Sequence, residues 1–229
     1  MHIPDGILPP SVLIGGFGIT AAATWYSLRR IRQRGDPTAD LPKAAMFTAA
    51  FLVLGWIHVP VPPVSVHLIL NGLLGVVLGW FAFPAILVGL FFQAVLFGHG
   101  GLTSLGVNAA MMGLPALLAF GLFRLRDRLP AARRPLWTGV FGFVGGFTGL
   151  VAAAALLLVL LITTVPTSID AATERAAIVG LVLAHVPLGA VEGAVTAVVV
   201  LFLLRVRPSL LEPEPRVQPS GPRPSGWSG

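Results

Sequence analysis

The chain begins Met-His, and these two residues alone carry three nitrogens that can chelate one cation. The α-amine of Met1, the peptide nitrogen of His2 and the Nδ1 of the His2 ring close successive five- and six-membered rings around a metal, with all three donors in one plane. The peptide nitrogen binds well only after losing its proton. A strongly Lewis-acidic late divalent ion promotes that loss, so planar nitrogen coordination points to Ni(II) or Cu(II). One corner of the square stays open. His67, in "PPVSVHLILNG" and expected just inside the third helix, is the candidate for it, because a helix start holds an imidazole more firmly than a loose loop does. Asn71, expected one helical turn below, is placed to orient a ligand or bind water. Pro4 disfavours helix at Ile3 and Gly6 admits backbone directions closed to other residues, so "HIPDG" is able to bend the terminus inward, with Asp5 as a cap for the following turn. The competing expectation is a terminus that frays and takes His2 with it.

The elements that must position these nitrogens are membrane helices. Of the 229 residues, 55% are hydrophobic and 10% charged, a balance that excludes an ordinary soluble domain. Apolar runs of about 20 residues predict an all-α integral membrane protein with about seven transmembrane helices. They lie near 8–29, 43–58, 64–81, 83–98, 104–124, 136–163 and 176–204. The second to fourth runs are separated only by "HVPVPP" and by a break before Pro84. The start shows neither a basic leader nor a small-residue cleavage site, so it is expected to be retained. Every Lys and Arg except Arg175 falls in the loop after the first run, the loop after the fifth, or the C-terminal region. The positive-inside rule then puts the N-terminus outside and the C-terminus in the cytoplasm. Residues 1–207 are expected to form the membrane-embedded metal-binding transport domain, with segment 1–8 as its metal-binding start. Residues 208–229, rich in proline, glycine and serine, are expected to be a disordered cytoplasmic tail. The +6 net charge is explained by membrane orientation, without nucleic acid. The absence of cysteine excludes disulfides and thiolate metal sites.

This topology turns His2, His58, His67 and His99 outward and sets His185 in the outer part of the last helix. His99 is the first candidate for orienting a metal ligand from a neighbouring position; the alternative is that it closes a loop or caps a helix. Glu192 lies deep in the last helix, where it is expected to pair with a polar neighbour. A membrane metalloenzyme built on His99, His185 and Glu192 is the competing reading from another class, although no HExxH motif supports it. A stand-alone metal channel is another. With no GxxxxGK[ST] stretch, the chain is not expected to be an enzyme, and ATP hydrolysis belongs to partner subunits.

Four blocks carry a family resemblance: "MHIPDGILPP" at the start, "SVHLILNGLLG" at 65–75, "FFQAVLFGHGGLTSLGVNAAMMG" at 91–113 and "AHVPLGAVEGAVTAVVV" at 184–200. In this order they resemble the CbiM/NikM family, the substrate-binding (S) components of energy-coupling factor (ECF) transporters for cobalt and nickel. The similarity runs from residue 1 to about residue 211. It implies capture of Ni(II) or Co(II), as transported substrate rather than cofactor, at the outer face of a prokaryotic cell membrane. The family's ligands fall on the Met1 amine, the His2 amide and imidazole nitrogens and the His67 imidazole. Implied partners are an ECF transmembrane coupling subunit, cytoplasmic ATPase subunits and a small accessory membrane subunit. Gln93, Asn108, His185 and Glu192 also lie in the resembling blocks, with their roles open. Small-residue pairs suited to close helix approach are Ala45 with Ala49, Gly142 with Gly146, Gly145 with Gly149, and Ala190 with Ala194; each serves either subunit docking or packing within the chain. The residues do not decide between nickel and cobalt.

Overall fold

Long apolar runs in a medium without hydrogen-bond partners must close their own backbone bonds, and the α-helix does this locally. The computed structural model describes residues 2–33, 36–55, 59–61, 64–66, 68–164 and 171–211. Its side chains are described for these residues except 59–61, 64–66, 171–178, 181 and 182. Among the described residues seven α-helices form: α1 (Pro10–Arg32), α2 (Leu41–Leu54), α3 (Asn71–Leu78), α4 (Ala82–Phe97), α5 (Leu105–Phe123), α6 (Arg134–Thr164) and α7 (Ala171–Val206). Five stretches among the described residues are long and apolar enough to cross a membrane, namely Pro10–Arg32, Asn71–Phe97, Leu105–Arg128, Ala131–Thr164 and Leu183–Val206. The apolar helix α2 is shorter.

The departure from the expected seven spans is concentrated before and within Asn71–Phe97. Val59–Val61 and Val64–Val66 pair as a small antiparallel hairpin, β1 and β2, with Val59 opposite Val66. Prolines at 60, 62 and 63 remove helical donors and keep their predecessors out of the α region, while the valines suit a pleated strand. The third helix therefore starts at Asn71 rather than near residue 64. Its eight residues rise about 12 Å, less than half of a ~30 Å hydrocarbon core. All eight are buried. The chain then reverses at Gly79, whose φ is +59°. Going down α3, Gly75 lies on Ala116 and Gly79 on the Phe120 ring, so α3 runs in the direction of α5; Phe83 of α4 already packs back on Gly113. The expected third and fourth spans are thus a half-helix and a returning helix.

This half-helix is wedged against α5 and α6. A Cβ on Gly75 would stand 2.0 Å from the Ala116 carbonyl oxygen, and one on Gly72 would stand 2.6 Å from that of Gly145. Such backbone contact substitutes for the hydrophobic drive that lipid does not supply between helices. Both glycine pairs of α6 pack inside the chain: Gly142 meets Val200, Gly145 meets Val76, Gly146 meets Thr196 and Gly149 meets Gly72. Ala45, Ala49, Ala190 and Ala194 stay exposed.

The basic clusters following α1, α5 and α7 gather at one end. A cavity of ≈ 630 Å³ there is lined by Arg30, Lys43, Trp80, Arg124, Arg126 and Leu211, among others. Arg126 stacks 3.9 Å from the Phe123 ring centroid and donates to the Leu211 carbonyl at 2.9 Å, and Lys43 reaches the Leu210 carbonyl at 3.4 Å. Residues 208–211, assigned to the tail from sequence, therefore fold onto the bundle, while 212–229 lie outside the described residues.

Candidate metal site

Pro9 and Pro10 open α1, with Pro9 extended, and the residues before them are not helical. This short segment is strapped across the far end of the bundle from the basic cavity. Ile3 donates its N–H to Asn108 Oδ1 at 2.9 Å. Its carbonyl accepts from Asn108 Nδ2 at 3.0 Å and from the Ser104 hydroxyl at 2.6 Å. The Ile3 side chain is buried with Leu8, Val107, Met111 and Leu157. Two residues on, the Asp5 carboxylate accepts the N–H groups of Leu102, Thr103 and Ser104 at 3.0–3.1 Å and the Thr103 hydroxyl at 2.6 Å. The Thr103 hydroxyl is the chief cause that holds the Asp5 carboxyl below its ordinary value of 3.8. The expectation for Asp5 is a cap on the turn that follows it; instead it caps the loop ahead of α5. That loop needs glycine at 101, where a Cβ would sit 1.9 Å from Asp5 Oδ1.

The strap delivers His2 to His99. Their ring centroids are 4.5 Å apart and the planes meet at 89°, an edge-to-face contact. His99 is fixed by the end of α4. Left-handed Gly98 turns the chain so that the N–H groups of Gly98 and His99 return to the carbonyls of Ala94 and Gln93 at 3.2 and 3.1 Å. His99 thus closes a helix end and packs on the candidate ligand at once. Gly100, at φ +84°, passes beneath, and a Cβ there would stand 3.4 Å from that of His2.

Met1, His58 and His67 lie outside the described residues, so of the expected outward donors the structure juxtaposes His2 and His99. Among the described residues no three His, Asp or Glu side chains converge as a metal site, so His99, His185 and Glu192 do not form a zinc triad. His185 is half-exposed in α7.

α3 begins at Asn71, which corrects the expectation that the third helix starts ahead of residue 67 and reaches Asn71 one turn in. Asn71 is instead the first residue of α3 and is fully buried. Its Nδ2 donates to the carbonyls of Met112 at 3.2 Å and Gly149 at 2.9 Å, and its Oδ1 accepts from the N–H of Gly72 at 2.9 Å. One amide thereby joins α3, α5 and α6. Just upstream, buried Glu192 of α7 accepts the N–H groups of Ile69 and Leu70, the latter at 3.1 Å to each carboxylate oxygen. Sequence reasoning did not identify Ser104, the far partners of Asp5 or the grip of Glu192 on residues 69–70. The available signal was polarity out of place: Asn108 and Glu192 each interrupt a long apolar helix.

Comparison with known proteins agrees with this architecture. The family model described as the cobalt uptake substrate-specific transmembrane region matches residues 2–210. A Haemophilus influenzae protein named provisionally for metal transport is 36% identical over 92% of this chain and 97% of its own length. The fused nickel transport protein NikMN of Rhodobacter capsulatus is 32% identical over 97% of this chain, which spans 66% of that longer protein. A crystal structure of a truncated transition metal transporter superposes with a TM-score of 0.69 at 26% identity, covering 90% of this chain and 99% of that one. The chain therefore belongs to the CbiM family and is a multi-pass membrane component of cobalt and nickel transport.

Proposed function

We propose that this chain is the substrate-capturing subunit of an ECF-type transporter, binding Ni(II) or Co(II) at the outer face through the Met1 amine, the His2 amide and Nδ1 nitrogens and the His67 imidazole. The observation that carries this reading is the strap, in which Ile3 is fastened to Asn108 and Ser104 and Asp5 to residues 102–104. A free terminus would lose conformational entropy on wrapping a cation; a fastened one has lost it on folding, and the metal binds tighter by that difference. His99, edge-on to His2, holds the ring in orientation. Square nitrogen geometry suits Ni(II) directly, and Co(II) with an added axial ligand.

The basic end of the bundle faces the cytoplasm in this reading, which puts the strap outside. Energy for uptake comes from cytoplasmic ATPases through a transmembrane coupling subunit, with a small accessory membrane subunit. The fused NikMN relative, longer than this chain, supports association with further polypeptide. The exposed alanine pairs of α2 and α7 are the small-residue faces left for a partner helix.

Calorimetric titration with Ni(II) and Co(II) tests the donor set. The proteins compared are the intact chain, its mass confirming that Met1 carries a free amine, a form with one residue added before Met1, and the variants His2→Ala and His67→Ala. Each change removes a donor and lowers affinity by about tenfold or more, and affinity falls as pH drops through the imidazole range near ~6.5. Unchanged binding by the extended form and both alanine variants overturns the reading.

A further inference from the structure

A carboxylate fully buried in the middle of a membrane helix is expensive, and among the described residues Glu192 forms no ion pair. Both its oxygens are directed at main-chain N–H groups on another element, those of Ile69 and Leu70. These residues have no helix of their own to satisfy them, since α3 begins only at Asn71. Leu70 is moreover a non-glycine residue in the left-handed region, at φ +58°. That conformation is strained for a residue with a side chain and persists only where neighbours impose it. Glu192 imposes it from α7. Asn71 then fixes the next residues to α5 and α6. The main-chain N–H groups of residues 69, 70 and 72 are consequently held by Glu192 and Asn71, beginning two residues after His67.

We propose that Glu192 is a positioning residue for the His67 donor, acting through the main chain of residues 69 and 70 rather than on the metal. The inference rests on the proposed role of His67 as a ligand and goes beyond it by naming what aims the imidazole. Chemistry explains why the residue is glutamate. Oε1 accepts from both N–H groups and Oε2 from that of Leu70, so the amide of glutamine would turn an NH₂ toward at least one of them. Among the described residues the segment just before His67 is the short hairpin β1–β2, and the anchored main chain begins two residues after it. Positioning groups of this kind are worth about 10–100-fold in metal affinity.

The test is a double-mutant cycle on the purified full-length protein, titrated with Ni(II), comparing wild type, Glu192→Gln, His67→Ala and the double variant, with thermal unfolding of each metal-free form alongside. Glu192→Gln is expected to lose about tenfold in affinity in the wild-type background and nothing further in the His67→Ala background. Its bound Ni(II) should show the visible ligand-field band of His67→Ala, because both leave the fourth corner to solvent. Equal losses in both backgrounds, or a lowered unfolding temperature with unchanged affinity and spectrum, overturn the positioning role while leaving His67 a ligand. If His67→Ala itself binds Ni(II) as wild type does, the ligand set fails first, and the inference with it. Should Glu192→Gln not fold, Glu192→Asp, which keeps two oxygens but withdraws them by one methylene, goes through the same cycle with the same readings.

Discussion

Asn108 and Asn71 are both buried and carry out the same operation on different partners, a terminal segment that can lift off into water and a helix inside the bundle. Asn108 clamps the main chain of Ile3 near the N-terminal end of α5, beside the exposed contacts of Asp5. Asn71 clamps α3 to α5 and α6 halfway along them, where Glu192 also holds residues 69 and 70. When the strap opens, its N–H and carbonyl groups meet water and recover most of what they lose, so each bond contributes a net ~1 kcal/mol. When the buried knot opens, the same kinds of group face hydrocarbon or packed side chains and stay unsatisfied, at about 1–3 kcal/mol apiece. The two halves of the proposed metal site are therefore held with different reversibility. The His2 half sits on a tether that can be undone at little cost, and the segment carrying His67 leads into a fixed element.

The largest expected effect comes from breaking the fixed side. Asn71→Ala orphans the N–H of Gly72 and removes the cross-links to Met112 and Gly149, so it destabilises the fold by about 2–4 kcal/mol, read as a lowered unfolding temperature in detergent with or without metal. The same substitution on the other side sharpens the contrast. Asn108→Ala releases Ile3, whose groups can turn to water, and costs about 1 kcal/mol of stability while lowering Ni(II) affinity severalfold and exposing residues 1–8 to proteolysis. Equal stability losses for the two variants would erase the distinction between tether and knot.

Much of this division was legible in the residues, and the illegible part has a physical cause. Class and helical content follow from the length and apolarity of the runs, which dominate whatever the loops do. The inward bend of "HIPDG" follows from proline and glycine chemistry at residues 4 and 6, and the strap bears it out. The third helix was misread because hydropathy is blind to direction. Residues 64–81 are mostly apolar, yet the prolines before His67 and the reversal at Gly79 leave an α-helix of eight residues among the described ones. A buried half-helix has the composition of a span and half its length. Partners distant in sequence were equally invisible: nothing near Asp5 points to Thr103, and nothing near Ile69 points to Glu192. The Ser104 hydroxyl donates to the Ile3 carbonyl and caps no N–H of α5, a partner that no local pattern announces.

The smallest effect, and the finest test of the tether, lies at Asp5. Asp5→Asn keeps one acceptor oxygen and gives up the charge and the second oxygen. The fold should be unaffected, Ni(II) affinity should fall only a few-fold, and the amides of Leu102, Thr103 and Ser104 should exchange with solvent faster. Acid separates the tether from the metal in the wild type. Because the folded Asp5 carboxyl titrates below 3.8, its anchoring contribution is complete above that value and is lost only as pH falls through the lower folded one. Protons displace the metal from imidazole nitrogens far earlier, near ~6.5. Between those two ranges the protein should be empty of metal and still strapped, with residues 102–104 protected from exchange. If their protection disappears together with the metal, strap and ligands form one cooperative unit, and the tether is held by the cation rather than by Asp5.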